Sequence, residues 1–308
     1  MPLVTSKELL AKAKEEHFAI GAFNANNMEQ VQAIVEVAQE ERAPVILQVS
    51  QGAIRYAGLE YAAGLVKLAA ASVDVPVVLH LDHGTSFEQN IQCLRAGFTS
   101  LMFDGSALPY EENVAITSRV CEIAHAVGIP VEAELGRVLQ AKDASPEEVA
   151  AAMTDPEQAR EFIARTGADS LAVAVGSVHA MRAQEAELDI ERIEAIRART
   201  GVPLVLHGSS GVREESIREA IAHGICKINV ATYLNQAFVR GLREGLQKYP
   251  DEVDPRKFLA LAKEYLKEAV REKIRLFGSA GKIGLAGWRS GPAQVRGARP
   301  RPAGAVEE

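Results

Sequence analysis

Eight short runs of β-branched and other apolar residues alternate with eight segments of helical spacing, and this alternation limits the fold more than any other feature of the chain. The runs fall at 18–23, 45–49, 77–81, 100–103, 131–135, 170–175, 204–206 and 227–230. The helical segments fall at 28–41, 59–71, 87–96, 110–127, 156–166, 190–200, 214–222 and 233–246. Several runs, such as VILQV, PVVLHL and SLAVAV, are apolar at almost every position. A strand reads that way when both of its faces are buried, as in a parallel sheet covered by helices. Breakers stand where a helix must stop and a strand begin, at Pro44, Pro76, Pro130 and Pro203. Eight strand–helix units predict a single α/β domain, a closed (β/α)8 TIM barrel, rather than an open doubly wound sheet. A length of 308 residues suits one such barrel.

Asp254-Pro255 opens one more helix, with Leu259, Ala262, Leu266, Ala269 and Phe277 spaced along one apolar face. The expected division is therefore a barrel with a C-terminal helix over residues 1–284 and an unpacked Gly-, Pro- and Arg-rich tail over 285–308. A net charge of −7 offers no basic surface for nucleic acid or anionic membranes, so an anionic substrate needs a local positive site. No run reaches the roughly 18–20 apolar residues of a membrane span. The start, MPLVTSKELLAKAKEE, reads as a capped amphipathic helix and not as a signal peptide. Cys93, Cys121 and Cys226 lie far apart and form no CxxC pair, which points to small buried side chains in a reducing, cytoplasmic setting.

Active sites of such barrels lie at the C-terminal ends of the strands. Polar groups gather there at His80-Leu81-Asp82-His83-Gly84, at Glu132-Ala133-Glu134, at Gly176-Ser177-Val178-His179, at His207-Gly208-Ser209-Ser210-Gly211 and at Asn229-Val230-Ala231-Thr232. His83, His179 and His207 come from three strand tops, and three imidazoles around one rim suit a zinc ion with a position left open for substrate. Alternation puts His80 and Asp82 on one face, so a twist at Gly84 is expected to bring Asp82 and His83 to the same mouth. Asp82 is then the candidate acid/base and His80 a support behind it. The Gly/Ser run after His207 offers backbone N–H groups and hydroxyls for a phosphate, which barrels tend to hold after strands 7 and 8.

Seven segments resemble one family: GAFNANN (21–27), HLDHG (80–84), VEAELG (131–136), TGADSLAVAVGSVH (166–179), LVLHGSSGV (204–212), KINVAT (227–232) and DPRKF (254–258). In this order they are similar to the class II, zinc-dependent fructose-bisphosphate and tagatose-bisphosphate aldolases. The resemblance implies a TIM barrel, a homodimer or homotetramer, one Zn2+ per subunit and, for phosphate binding, Na+ or K+. It implies a cytoplasmic glycolytic enzyme that cleaves a phosphorylated ketose into two three-carbon halves. Residue by residue, it implies His83, His179 and His207 as metal ligands and Glu134 as the carboxylate of an alternative, buried metal position. Asp82 resembles the acid/base and Asn229 the residue that positions the enediolate. Gly208, Ser209, Ser210, Ala231 and Thr232 resemble the pocket for one phosphate, with Asn24 and Ser50 as further substrate contacts. Arg256 resembles the arginine that reaches a neighbouring subunit's site to hold the second phosphate. The chemistry agrees: breaking the C3–C4 bond leaves negative charge on an enediolate, which a metal stabilises as a Lewis acid, while one group takes the C4 hydroxyl proton and another protonates carbon.

Three departures bear on substrate. Ala180 and Arg182 stand where the family has Gly and often Lys or Tyr, so Ala180 adds a methyl beside the phosphate. Lys142 takes the place of the loop glutamate that protonates the enediolate, leaving Asp143, Glu147 or Glu148 as donor, with Asp143 favoured because the glutamates read as the first turn of a helix. The whole stretch 137–154 is expected to move as a lid. Ala231 replaces an acidic residue of many fructose-bisphosphate enzymes and makes KINVAT resemble the tagatose subgroup. Three rival readings remain: a Schiff-base aldolase using Lys227, a metal-dependent hydrolase lacking the usual His-x-His of strand 1, and a non-catalytic sugar-phosphate binding protein.

Overall fold

A computed structural model describes residues 3–141, 145–181 and 184–284. Eight strands run in the order β1 (Ile20–Asn24), β2 (Val45–Ser50), β3 (Val77–Asp82), β4 (Leu101–Phe103), β5 (Val131–Leu135), β6 (Ser170–Val173), β7 (Leu204–Leu206) and β8 (Ile225–Val230). The helices are α1 (Ser6–Glu16), α2 (Met28–Glu40), α3 (Gln51–Ala57), α4 (Leu59–Ser72), α5 (Phe87–Arg95), α6 (Tyr110–His125), α7 (Pro146–Ala151), α8 (Pro156–Thr166), α9 (Ile190–Thr200), α10 (Glu214–His223), α11 (Thr232–Lys248) and α12 (Pro255–Leu276). All ladders are parallel, in the order β3-β2-β1-β8-β7-β6-β5-β4. The ring closes between β3 and β4 by two isolated parallel bridges, His80 with Ser100 and Gly84 with Phe103. Between those bridges the His83 N–H points at the Met102 sulfur, 3.4 Å away, in place of a carbonyl. The expected (β/α)8 barrel is thus present, with α3 as an extra turn of helix after β2.

The two faces of each strand have different fates. Outward side chains such as Leu47, Leu79 and Leu171 pack under the helices in one continuous core. At the N-terminal end, Leu9, Leu10 and Ala13 of α1 plug the barrel against Phe18, Ile20, Ile46 and Val78. Each fully buried leucine contributes about 1.5–3 kcal/mol. Higher in the barrel the inward residues become polar. Gln48, His80, Glu132 and Lys227 form one buried layer, and two residues further along their strands Asp82, Glu134 and Asn229 form the next. Since the period of a strand is two, a strand that carries one layer also carries the next on the same face.

At the far end, α12 buries Ala262, Leu266 and Ala269 as expected and packs on α11 and α2. Gly241 makes this crossing close: a Cβ there would lie 2.8 Å from the Ala262 Cα. All three cysteines are buried and unpaired. Among the described residues, no helix is long and apolar enough to cross a membrane. The tail 285–308 lies outside the described residues.

Candidate active site

His83, His179 and His207 meet at the C-terminal mouth, with ring centroids 4.7–6.0 Å apart. His83 gets there by its own backbone. Its φ of 51° turns the chain immediately after Asp82, so the kink expected at Gly84 sits one residue earlier. That left-handed conformation is uncommon for a residue with a Cβ and marks a position fixed by its surroundings. His83 Nδ1 donates to Asp104 Oδ2 at 2.7 Å, which leaves Nε2 facing His207 Nδ1 at 3.1 Å. His207 in turn points Nε2 at Glu132 Oε1, 3.0 Å away. His83 and His207 are therefore each oriented by a carboxylate behind them.

Burial works against charge on His83, but the Asp82, Asp104 and Glu134 carboxylates outweigh it and push its pKa up to about 10. His179 is pushed down to about 4, by burial and then by the His83 charge. Burial, His83 and Lys227 hold His207 well below the usual histidine range. Glu134 is pushed up to about 8, by burial and then by Asp104. Its Oε2 is buried without a hydrogen-bond partner, 3.6 Å from His207 Nδ1. Such an orphaned oxygen among imidazoles needs an explanation, and a cation supplies one. Among the described residues, two sets bring their ligand atoms within 4.8 Å of one another: His83, His179 and His207, and His83, Asp104 and Glu134. A divalent cation would replace the proton that His83 Nε2 offers to His207, because imidazole binds metal in its neutral form.

Asp82 lies beside this cluster, its Oδ1 3.9 Å from His83 Nε2. It accepts the Asn24 amide at 2.7 Å and the Asn229 amide at 3.1 Å. Asn24, expected to touch substrate, is thus buried behind the acid/base candidate. Ser50 caps α3, its hydroxyl accepting the Ala53 N–H at 3.2 Å. His80 donates or accepts at Ser100 Oγ, 2.8 Å away, beneath Asp82. The turn after β7 brings Gly208, Ser209 and Ser210 against the start of α11. Gly208 needs to be glycine: its φ is 67°, and a Cβ would lie 2.7 Å from the Val178 carbonyl oxygen. Ser209 Oγ donates to the Asn229 carbonyl at 2.5 Å, whereas Ser210 Oγ accepts the Tyr233 N–H at 3.2 Å and keeps its own proton to give. Ala231 precedes α11 and Thr232 begins it.

A cleft of about 970 Å3 opens over the imidazoles, lined among others by Asp104, Glu134, Arg137, His179, Ala180 and Thr232. Ala180 holds φ at 63°, so the residue in the family's glycine position keeps the glycine-like turn. The flank of the expected lid is tied down at one end, since the His179 N–H donates to the Leu139 carbonyl at 2.8 Å and the Ala141 N–H to the His179 carbonyl at 2.9 Å. At the other end α7 starts with a full capping box between Ser145 and Glu148, which fixes Glu147 and Glu148 in its first turn. Asp143 and Arg182 lie outside the described residues. Arg256 is not part of the lining of its own chain's cleft: its side chain is 88% exposed and pairs with Asp254 at 2.6 Å.

Asp104 is the site residue that sequence reading missed. The only signal was an acidic residue directly after the three-residue apolar run of strand 4, where a turn-forming aspartate looks the same. Glu132 carries no distinguishing signal of its own in the sequence, standing two residues from Glu134 on the same strand.

The family model for class II fructose-bisphosphate aldolase matches residues 4–282. The chain belongs to this family. The fructose-bisphosphate aldolases of Geobacillus stearothermophilus and Staphylococcus epidermidis are 48% and 47% identical to it, each over 92% of this chain and 99% of the relative. The crystal structure of the YdjI aldolase from Escherichia coli K12 superposes with a TM-score of 0.80 at 37% identity, covering 91% of this chain and 99% of that one. Class II fructose-bisphosphate aldolases are metal-dependent carbon–carbon lyases, and the two donor sets above are this member's candidate metal positions.

Proposed function

We propose that the cleft carries out the reversible retro-aldol cleavage of fructose 1,6-bisphosphate into dihydroxyacetone phosphate and glyceraldehyde 3-phosphate. The observation that carries this reading is the meeting of three imidazoles from β3, β6 and β7 beside the doubly hydrogen-bonded Asp82. His83, His179 and His207 would hold one Zn2+, with Glu134 and Asp104 beneath as an alternative position. When bound, the ion supplies Lewis-acid stabilisation of the charge left on the enediolate. The chain's own groups do the rest. Gly208, Ser210 and Thr232, helped by Na+ or K+, receive the phosphate next to the reacting carbons, with Ser209 fixing the turn. Asp82 takes the proton of the C4 hydroxyl as the C3–C4 bond breaks. Asn229 orients the enediolate, and Asp143 returns a proton to carbon. Arg182 supports the phosphate beside Ala180, and Arg256 acts in the site of a neighbouring subunit of a homodimer or homotetramer. The setting is cytoplasmic sugar breakdown.

Coupled release of dihydroxyacetone phosphate from a panel of ketose phosphates tests this in zinc-replete protein. Cleavage of a ketose bisphosphate that chelation abolishes and zinc restores is the expected result. Chelator-resistant cleavage, or none, would reject it. Ala231 favours the C4 epimer, tagatose 1,6-bisphosphate, as a second substrate, and the same panel ranks the two.

A further inference from the structure

Lys227 has no part in the steps above, yet it is 1% exposed. Its ammonium donates to Glu132 Oε1 at 3.2 Å and Asn229 Oδ1 at 2.7 Å and lies 2.9 Å from Glu132 Oε2. An amine so engaged offers no lone pair to a carbonyl, which speaks against Schiff-base chemistry. The geometry has another consequence. An ammonium can only donate, so Asn229 must turn its oxygen toward Lys227 and its N–H toward Asp82.

The far side of Asp82 lacks such a fixed end. Gln48 donates to Asn24 at 2.7 Å, and Asn24 donates to Asp82 at 2.7 Å. The remaining Gln48 oxygen is buried without a partner, so nothing beyond Gln48 dictates how either amide is turned. Asp82 thus accepts from two branches, Gln48 to Asn24 on one side and Lys227 to Asn229 on the other, and only the second begins at a group that can do nothing but donate.

We propose that Lys227 is a positioning residue for the aldol reaction, acting through Asn229. It locks the amide so that an N–H, and not an oxygen, faces Asp82 and the reacting carbons. Without the ammonium, the Asn229 oxygen loses its buried donor and the amide is held from the Asp82 side alone, by a bond of 3.1 Å. This inference rests on the aldolase reading above, and Lys227 need never touch substrate.

The test compares Lys227→Met with Lys227→Met/Glu132→Gln, which leaves no charge buried alone and keeps an oxygen for His207. In the zinc-loaded full chain, kcat for bisphosphate cleavage should fall about 100-fold while KM stays within about threefold, the pattern of an interaction used in the transition state. Added to Asn229→Ala, Lys227→Met should cost less than about twofold more, since residues that act as one unit are not additive. Penalties that multiply would overturn the proposal, as would an unchanged kcat. Failure of both lysine variants to fold, by circular dichroism, would make the residue structural and overturn it too. A wild-type chain that cleaves no ketose bisphosphate would instead remove the aldolase reading, so the two failures are told apart.

Discussion

His83 Nδ1 donates to Asp104 across 2.7 Å, from the ends of two strands that the barrel joins by isolated bridges alone. The bond fixes which nitrogen of His83 is left for metal. Asp104→Ala should lower zinc affinity about 10–100-fold, the usual effect of removing a group that orients a ligand. Competition with a chromophoric chelator measures it, and an unchanged affinity would mean that His83 is oriented by packing alone.

Asp82 sits near the metal cluster but spends both oxygens on amides. Asp82→Asn should retain zinc at wild-type stoichiometry and lower kcat by about 10²–10⁴. Loss of the metal in this variant, by elemental analysis, would show that the aspartate is a ligand.

Arg256 pairs with Asp254 on the surface of its own subunit. Arg256→Ala should raise KM about tenfold for a bisphosphate and leave a ketose monophosphate nearly unaffected, as expected when one phosphate contact is lost. Equal changes for both substrates would rule out a second-phosphate role.

Asp169 ties three elements together, accepting from the Val131 N–H at 2.9 Å, His125 at 2.7 Å and Lys7 at 3.0 Å. Burial alone would raise its pKa, but the Val131, His125 and Lys7 donors overcome it and hold the value below the usual 3.8. A carboxylate depressed in the folded state adds stability above its unfolded value, and that part is lost as pH falls through the folded one. Asp169→Asn should therefore lower the melting temperature at neutral pH by about 2–4 °C per kcal/mol, with about 1–3 kcal/mol at stake. Its melting temperature should also fall less steeply below pH 4. Parallel acid limbs for the two proteins would contradict this.

The eight strands and the three histidines were legible because each depends on local pattern: apolar runs punctuated by proline, and polar residues at strand ends. The His83 kink was not, because one φ angle decides it and no neighbour in sequence reports that angle. The role of Lys227 was hidden for a different reason. Its partner Glu132 is 95 positions away, and only the curvature of the closed barrel brings them face to face. The hydrogen bond of Asn24 to Asp82 was likewise out of reach of local pattern, since it spans 58 positions. The capping role of Ser50 is local by contrast, since a serine just ahead of a helical turn is an ordinary cap.

The order of the ladders also bears on how the molecule is made. Its continuous hydrogen bonding runs through β1 and β8, where Ile20 pairs with Lys227 and Phe23 with Val230. During synthesis, β1 is finished early and then waits for a partner that leaves the ribosome some two hundred residues later. Until then one apolar strand edge stands open, the condition under which nascent chains stick to one another. The late β8 and α12 therefore act as the closing clasp of the nascent chain. Chains truncated before residue 225 should collect in the aggregated fraction however well their first seven strands are encoded.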